Sequence, residues 1–438
     1  TGRCKNRAFF VMICDIIIDK NLTQGGSPPR CIPCRRKGSI QMNALKAKDN
    51  IWWVGSLDKD LRIFDIIMYT DYGTTYNAYI VKGNEKTVLF ETVKEKFFSD
   101  HLAKVKEVCD PADIDYIVFD HTEPDHSGSL AQMIKLAPKA TVLGSMAAIN
   151  FLKEIVNEPF PHRVVTEKDV IDIGGASLHF FMTPMLHWPD TMFTWIPEYR
   201  ALFTCDVFGC HYADDAVFND KIEGDFVDAY KYYFDNIMGP YKNPHMANAL
   251  QKIEGLPIEF IGNGHGPVLR TDIDRYLKMY HEWTVPAVND PKKVVIPYVT
   301  SYGYTRQLAE KIAEGIRSEG LVAELYDLVY GEKDKAIAAL DTADGILIGT
   351  PTMVGDALPP AYEMFLHLNP IIHKGKFGGA FGSYGWSGEA VANLTARMQQ
   401  LKMNVPMPAG YRVRLKPSEE QLAGAVQFGV DFAKAMKA

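Results

Sequence analysis

Cysteine is scarce over most of this 438-residue sequence: four of the seven (Cys4, Cys14, Cys31, Cys34) fall in the first 34 residues, leaving Cys109, Cys205 and Cys210 for the remainder. Three scattered thiols build no disulfide framework and read as the usage of a reducing compartment, so the expected localisation is cytoplasmic. The sequence also lacks an uninterrupted apolar run of the ~18–20 residues that a membrane helix needs. Its best early run, Ala8 to Ile18, is broken by Asp15 and is not followed by a small-residue cleavage site. Positive charge is not in excess: the net charge is −7, with +6 on residues 1–42 and −14 on residues 43–290. An acidic body of that size repels nucleic acid and anionic membrane. What is present is 47% hydrophobic and 23% charged, too apolar for a disordered chain and too long for one typical domain.

The distribution suggests three parts. Residues 1–42 are basic and Cys-containing, and they include the turn-prone Gly25-Gly26-Ser27-Pro28-Pro29. Cys31-Ile-Pro-Cys34 has the spacing of half a zinc site, but four ligands need a second pair and Cys4 and Cys14 do not form one. This part reads as a disordered or artificially appended extension ahead of a natural start at Met42. Residues 43–290 alternate short strand signals with turns. Gly73–Val81 and Lys86–Glu91 flank a hairpin turn at Lys82-Gly83-Asn84-Glu85, a helix is expected over roughly 94–109, and Ile114–Phe119 reads as a buried strand. After the polar, Pro-marked Val288-Asn-Asp-Pro291, residues 291–438 alternate strands (293–299, 345–349, 378–382) with a helix at 306–318, the pattern of βαβ units around a parallel sheet. The expected fold class is α/β throughout.

The densest chemistry follows the strand 114–119. Asp120-His121-Thr122-Glu123-Pro124-Asp125-His126 places four metal-ligating side chains (His121, Glu123, Asp125, His126) within six residues, where one loop can turn them toward a point. Leu186-His187-Trp188-Pro189-Asp190, Thr204-Cys205-Asp206-Val207 and Gly262-Asn263-Gly264-His265-Gly266-Pro267 each set a His or Asp at the end of an apolar stretch or in a Gly-rich turn. His101, His162, His179, His211, His245, His281, His367 and His373 stand in no such pattern and read as structural. Burying so many carboxylates without cations would be prohibitively costly.

A second constellation lies in residues 291–438. Thr300-Ser301-Tyr302-Gly303-Tyr304-Thr305 leads from a strand into a helix, where hydroxyls and free backbone N–H groups make a phosphate cradle without a lysine. Thr350-Pro351-Thr352-Met353-Val354-Gly355 and Ser383-Tyr384-Gly385-Trp386-Ser387-Gly388 also follow strands of a parallel pattern, where open α/β sheets bind ligands. Tyr384 and Trp386, set between glycines, suit a flat ring system.

The motif order over 43–290 resembles the metallo-β-lactamase fold, a helix-flanked αββα sandwich with a dinuclear site at one edge. Where hydrolases of that fold usually carry His-x-His-x-Asp-His, this chain has Glu123 for the second histidine, so the set His121, Glu123, Asp125, His126, His187, Asp206 and His265 contains three carboxylates. Hard oxygen donors mixed with imidazole suit iron or manganese, although zinc accepts them too. The three loops of 291–438 resemble a flavodoxin, a doubly wound parallel sheet, and imply FMN; Tyr304 stands where Asn is common in that cradle. Together the two resemble the flavodiiron proteins, or type A flavoproteins.

The resemblance implies one iron on His121, Glu123 and His187, a second on Asp125, His126 and His265, and Asp206 between them; some members do not use the position of His126. It implies reduction of dioxygen to water or of nitric oxide to nitrous oxide, with FMN relaying electrons from an external donor such as rubredoxin. It further implies a head-to-tail homodimer or homotetramer. The competing reading is a zinc hydrolase of the same fold whose flavodoxin-like unit is a redox or docking module.

Overall fold

The computed structural model describes residues 43–65, 68–286 and 288–438. The extension expected at residues 1–42, with Cys31 and Cys34, lies outside the described residues. The first sheet runs edge to edge in chain order through Leu45–Lys48, Ile51–Trp53, Tyr79–Lys82, Thr87–Phe90, Ile114–Val118, Thr141–Gly144 and His162–Val164. Its first four strands pair antiparallel and the rest parallel. A second sheet orders Val170–Asp172, Ser177–Met182, Met192–Ile196, Ala201–Cys205 and Phe260–Asn263, antiparallel except for its last pair.

Strand alternation explains how the sheets stack. Tyr79, Val81, Val88, Phe90 and Val118 face Leu178, Phe180, Met192, Ile196 and Phe203 in one buried cluster between the sheets. Phe90 and Phe203 stack at its centre with ring centroids 3.9 Å apart. The alternate residues Ile80, Leu89, Ile117 and Val142 turn outward under the helices Phe98–Val108 and Met146–Val156. Phe193, Trp195, Leu202 and Ile261 do the same under Val227–Tyr233, Ala247–Ile253 and Ile273–Thr284. The result is helix, sheet, sheet, helix. Both sheets are covered, so the loops at their strand ends are the place left for a site.

Two expectations shift. The single strand at 73–81 is two, Thr74–Tyr76 and Tyr79–Lys82, because the Asn77 N–H leaves the ladder to donate to the Gly264 carbonyl at 2.9 Å. The helix expected from 94 is a 3-10 turn, Glu95–Phe97, followed by an α-helix from Phe98.

The C-terminal sheet has the parallel core order Val322–Asp327, Lys293–Tyr298, Gly345–Gly349, Phe377–Tyr384, Tyr411–Arg414, which is 2-1-3-4-5 of its five long strands. That is the doubly wound order in which ligands sit beyond the carboxyl ends of the strands. Separate buried clusters line its two faces. On one face the helices Tyr304–Ser318 and Glu419–Lys437 cross with backbones nearly touching. A Cβ on Gly315 would meet the Val426 carbonyl oxygen at 2.0 Å, and one on Gly429 would meet that of Ile312 at 2.1 Å.

Alanine normally gains up to about 1 kcal/mol over glycine inside a helix. Here the obstacle is backbone, and separating packed helices costs about 1–3 kcal/mol. Gly429→Ala is therefore expected to lower the melting temperature of the C-terminal unit in thermal denaturation, against its propensity gain; a rise would contradict the contact.

Candidate metal centre and flavin cradle

Four loops converge at one edge of the sandwich. The strand Ile114–Val118 of the first sheet runs into His121 and Glu123, and the short helical turn Pro124–Ser127 carries Asp125 and His126. From the second sheet come His187, before Met192–Ile196; Asp206, directly after Ala201–Cys205; and His265, directly after Phe260–Asn263. All seven residues singled out in the sequence meet there. Ligand atoms of His121, Glu123, His187 and Asp206 lie within 4.8 Å of one another, and so do those of Asp125, His126 and His265.

Asp206 faces both sets, one carboxylate oxygen to each. Its Oδ2 lies 3.2 Å from His187 Nε2 and 3.5 Å from His121 Nε2. Its Oδ1 lies 3.0 Å from His126 Nε2 and 3.4 Å from His265 Nε2. Glu123 Oε2 closes the first set at 3.3 Å from His121 Nε2 and 3.1 Å from His187 Nε2. In the second set Asp125 Oδ2 approaches His265 Nε2 at 3.1 Å. Both Asp125 oxygens and His126 Nδ1 are nonetheless buried without a hydrogen-bond partner.

These orphaned atoms, in a cluster where only Glu123 and His187 keep partial exposure, fit a pair of cations and fit little else. The donor set of imidazole nitrogen and carboxylate oxygen is one that iron, manganese or zinc accepts.

The histidines are aimed from behind. His265 Nδ1 donates to the Thr75 carbonyl at 2.6 Å, leaving Nε2 with a bare lone pair toward the cluster. His121 Nδ1 lies 3.2 Å from Asp190 Oδ2. The loop bearing His265 is clamped by two buried asparagines. Asn263 Nδ2 donates to the carbonyls of Phe208, His265 and Pro267 at 2.9, 2.9 and 3.0 Å. Asn77 Nδ2 donates to the Gly266 carbonyl at 3.1 Å. Glu91 Oε1 receives the N–H groups of Asp120 and His121 at 2.8 and 3.3 Å, fixing the start of the ligand loop. Sequence reading missed Glu91, Asn77 and the part of Asp190, because each acts on a residue far away in the chain.

His211, read as structural, packs against the site: its ring centroid is 5.2 Å from that of His265, and its Nδ1 is 2.9 Å from Thr74 Oγ1. Trp188 meets His121 edge-on at 5.3 Å. Asp65, also missed, lies beside Glu123; burial and then the Glu123 charge push its carboxyl up to about 6.

The flavin-type loops meet as expected at the carboxyl ends of the parallel strands. Thr305 Oγ1 and Ser383 Oγ are 3.0 Å apart, joining the first loop to the third. Thr352 of the second pairs in parallel register with Tyr384 of the third. Gly303 has φ +80° and open space where a Cβ would stand, so the backbone of the first loop is bare at the start of the 15-residue helix Tyr304–Ser318. Thr300 Oγ1 is buried and unpartnered. An anion at this helix start would meet free N–H groups and the positive end of the helix dipole.

Tyr302, Val354 and Trp386 are exposed at 79, 95 and 77%, aromatic and apolar surface available to a planar ring. Two residues that sequence reading missed pin the third loop: Arg412 Nη1 donates to the Gly388 carbonyl at 3.2 Å and Arg414 Nε to that of Gly385 at 3.0 Å.

The fold and the two sites define a two-unit metal and flavin protein, and comparison with known proteins agrees. Residues 74–266 match the family model described as ODP family beta lactamase, and residues 296–429 match that for flavodoxin. The chain is 40% identical over 403 residues to the flavo-diiron protein FprA2 of Clostridium acetobutylicum, covering 90% of this chain and all of that one. It is 42% identical over 387 residues to the type A flavoprotein fprA of Rhodobacter capsulatus, covering 86% and 88%. Among solved structures, the flavodiiron protein of Giardia intestinalis superposes with TM-score 0.64 at 29% identity, over 90% of this chain and 97% of that one. The rubredoxin oxygen:oxidoreductase of Desulfovibrio gigas does so with TM-score 0.66 at 29% identity, over 90% and 99%. The chain belongs to the flavodiiron protein family.

The metal-stripped site makes a pH prediction. Burial pushes the His187 imidazole down, but its hydrogen bonds to Asp206 and Glu123 outweigh this and hold it up at about 9, above its ordinary 6.5. That contribution to stability is fully present below pH 6.5 and is lost as pH rises through about 9. The melting temperature of metal-stripped protein is therefore expected to fall between these values. Metal-loaded protein, whose imidazoles are already neutral, should not lose this contribution.

Proposed function

We propose that the chain is an oxidoreductase of the flavodiiron type, reducing dioxygen to water, nitric oxide to nitrous oxide, or both, at a non-haem diiron site supplied through FMN. The observation that carries this is Asp206, one oxygen turned to each of two ligand sets, in a chain whose other unit is a flavodoxin. Three carboxylates in place of further imidazole or thiolate favour iron over the zinc hydrolase reading.

On this reading His121, Glu123 and His187 would hold one iron, Asp125, His126 and His265 the other, and Asp206, which faces both sets, would serve both. Bound there, two irons would supply two electrons to a diatomic oxidant, and FMN in the other unit would supply the electrons that replace them. The protein's own part is positional. Thr75 sets the tautomer of His265 through its carbonyl. Phe64 packs over both His265 and His211, at 5.3 and 4.3 Å between ring centroids, keeping bulk water from that side. Thr300, Ser301, Tyr302, Gly303, Tyr304 and Thr305 would receive the FMN phosphate through backbone N–H and hydroxyl groups. Pro351 to Gly355, with Ser383, Tyr384, Gly385, Trp386 and Gly388, would flank the ring.

Electrons come from a separate donor protein of the rubredoxin kind. A head-to-tail homodimer, or a dimer of such dimers, sets the flavin of one subunit beside the irons of the other, in the cytoplasm. Among the described residues no helix is long and apolar enough to cross a membrane.

Protein purified without added metal should carry two irons and one FMN per chain, with a flavin spectrum that bleaches on reduction and returns on adding dioxygen or nitric oxide. The faster gas in an electrode assay identifies the substrate. Two tightly held zincs and no gas consumption would turn the reading to a hydrolase. Asp206→Asn is expected to lose iron and keep FMN, and Trp386→Ala to weaken FMN and keep iron, read by metal analysis and flavin absorbance.

A further inference from the structure

Asp190 is completely buried, and the ion pairs of the described residues give it no lysine or arginine. Its carboxylate is held by the opposite loop. The Thr122 N–H and the Thr122 hydroxyl each donate to Oδ2 at 2.7 Å, and His121 Nδ1 lies 3.2 and 3.3 Å from its two oxygens. Asp190 itself sits three residues after His187, in a turn that is closed on itself. There Met185 N–H donates to the Trp188 carbonyl at 2.7 Å and Thr191 Oγ1 to that of Leu186 at 2.9 Å. Ser145 Oγ donates to the Asp190 carbonyl at 2.8 Å, tying the turn to the helix Met146–Val156 as well.

One carboxylate thus joins the loop of His121, from the first sheet, to the loop of His187, from the second. The rings of these two histidines are 5.3 Å apart and belong to the same ligand set. The other set is held by different groups, chiefly the Thr75 carbonyl behind His265.

We propose that Asp190 is the positioning residue for one of the two metals, aiming His121 Nε2 and locking it in register with His187. This rests on the diiron reading above. The carboxylate accepts from His121 Nδ1, so the imidazole presents its Nε2 lone pair and donates more strongly. Because the same group fixes the spacing of two ligand loops that come from different sheets, its removal loosens one metal and leaves the other where it was.

The test uses the full chain loaded with iron and FMN, challenged with a chelator. Asp190→Asn is nearly isosteric, but its amide has one acceptor oxygen, and its NH2 must oppose either His121 Nδ1–H or the Thr122 donors. One of the two irons per chain is expected to be released about 10–100-fold more readily, the range for loss of such an outer partner. The other should be retained as in the parent, with FMN content unchanged. In Mössbauer spectra one iron should change its parameters and the other keep them, which a general loosening of the domain would not produce.

Thr122→Val, which removes only the hydroxyl donor to Asp190, should give a smaller shift on the same iron, and it decides alone if Asp190→Asn does not fold. Equal loss of both irons, or release of both at the parent's rate, overturns the proposal. A parent protein that holds fewer than two irons overturns the diiron reading instead.

Discussion

The structure turns on the electrostatic demand of a small buried volume. Glu123, Asp125 and Asp206 meet at the edge of the sandwich, and Asp206 faces imidazoles on both sides. Like charges so placed in a dry interior repel, and each has lost its water. Protonated imidazoles relieve this in part, which is why burial fails to bring His187 below its ordinary value. Two cations relieve it fully. An αββα sandwich supplies the opportunity, since both sheet faces are closed by helices and the open strand ends bring loops from two sheets to one point. The surrounding polar residues then read as a second ring that stops the first from relaxing: Asn77 and Asn263 around the His265 loop, Glu91 at the start of the His121 loop.

The flavin cradle is made on the opposite principle. It offers backbone N–H groups, neutral hydroxyls and solvent-facing aromatic rings, so it places no charge in a dry interior and asks for no compensating ion. Tyr302, Val354 and Trp386 stand in solvent, whereas His121, Asp125, His126, Asp206 and His265 are buried. One chain therefore holds a largely buried cluster of imidazole and carboxylate and an open cradle at the strand ends of its other unit.

How much of this could be read in the sequence follows from how far apart the cooperating residues lie. His121, Glu123, Asp125 and His126 are legible because one loop carries them all, and Asp206 and His265 because each ends a strand in a short recognisable motif. The three flavin loops are legible as strand ends of a regular βαβ pattern. Asn77 is not: within 73–81 it looks like any strand residue, and only the Gly264 carbonyl, 187 positions away in sequence, draws its N–H out of the ladder. Glu91 and Arg412 are silent for the same reason, since each holds a loop that local patterning does not connect to it. The fold class needed only periodicity, while the supports of the site needed the folded chain.

The strand Tyr411–Arg414 does more than complete a sheet. Its guanidiniums grip the third flavin loop, and beyond it the chain enters the helix Glu419–Lys437, whose glycine lies against the backbone of the helix that opens the phosphate cradle. Loop, edge strand and helix pair are thus joined mechanically around the cradle. A flavin that bound only the folded unit would then add to its cohesion the same free energy with which it binds.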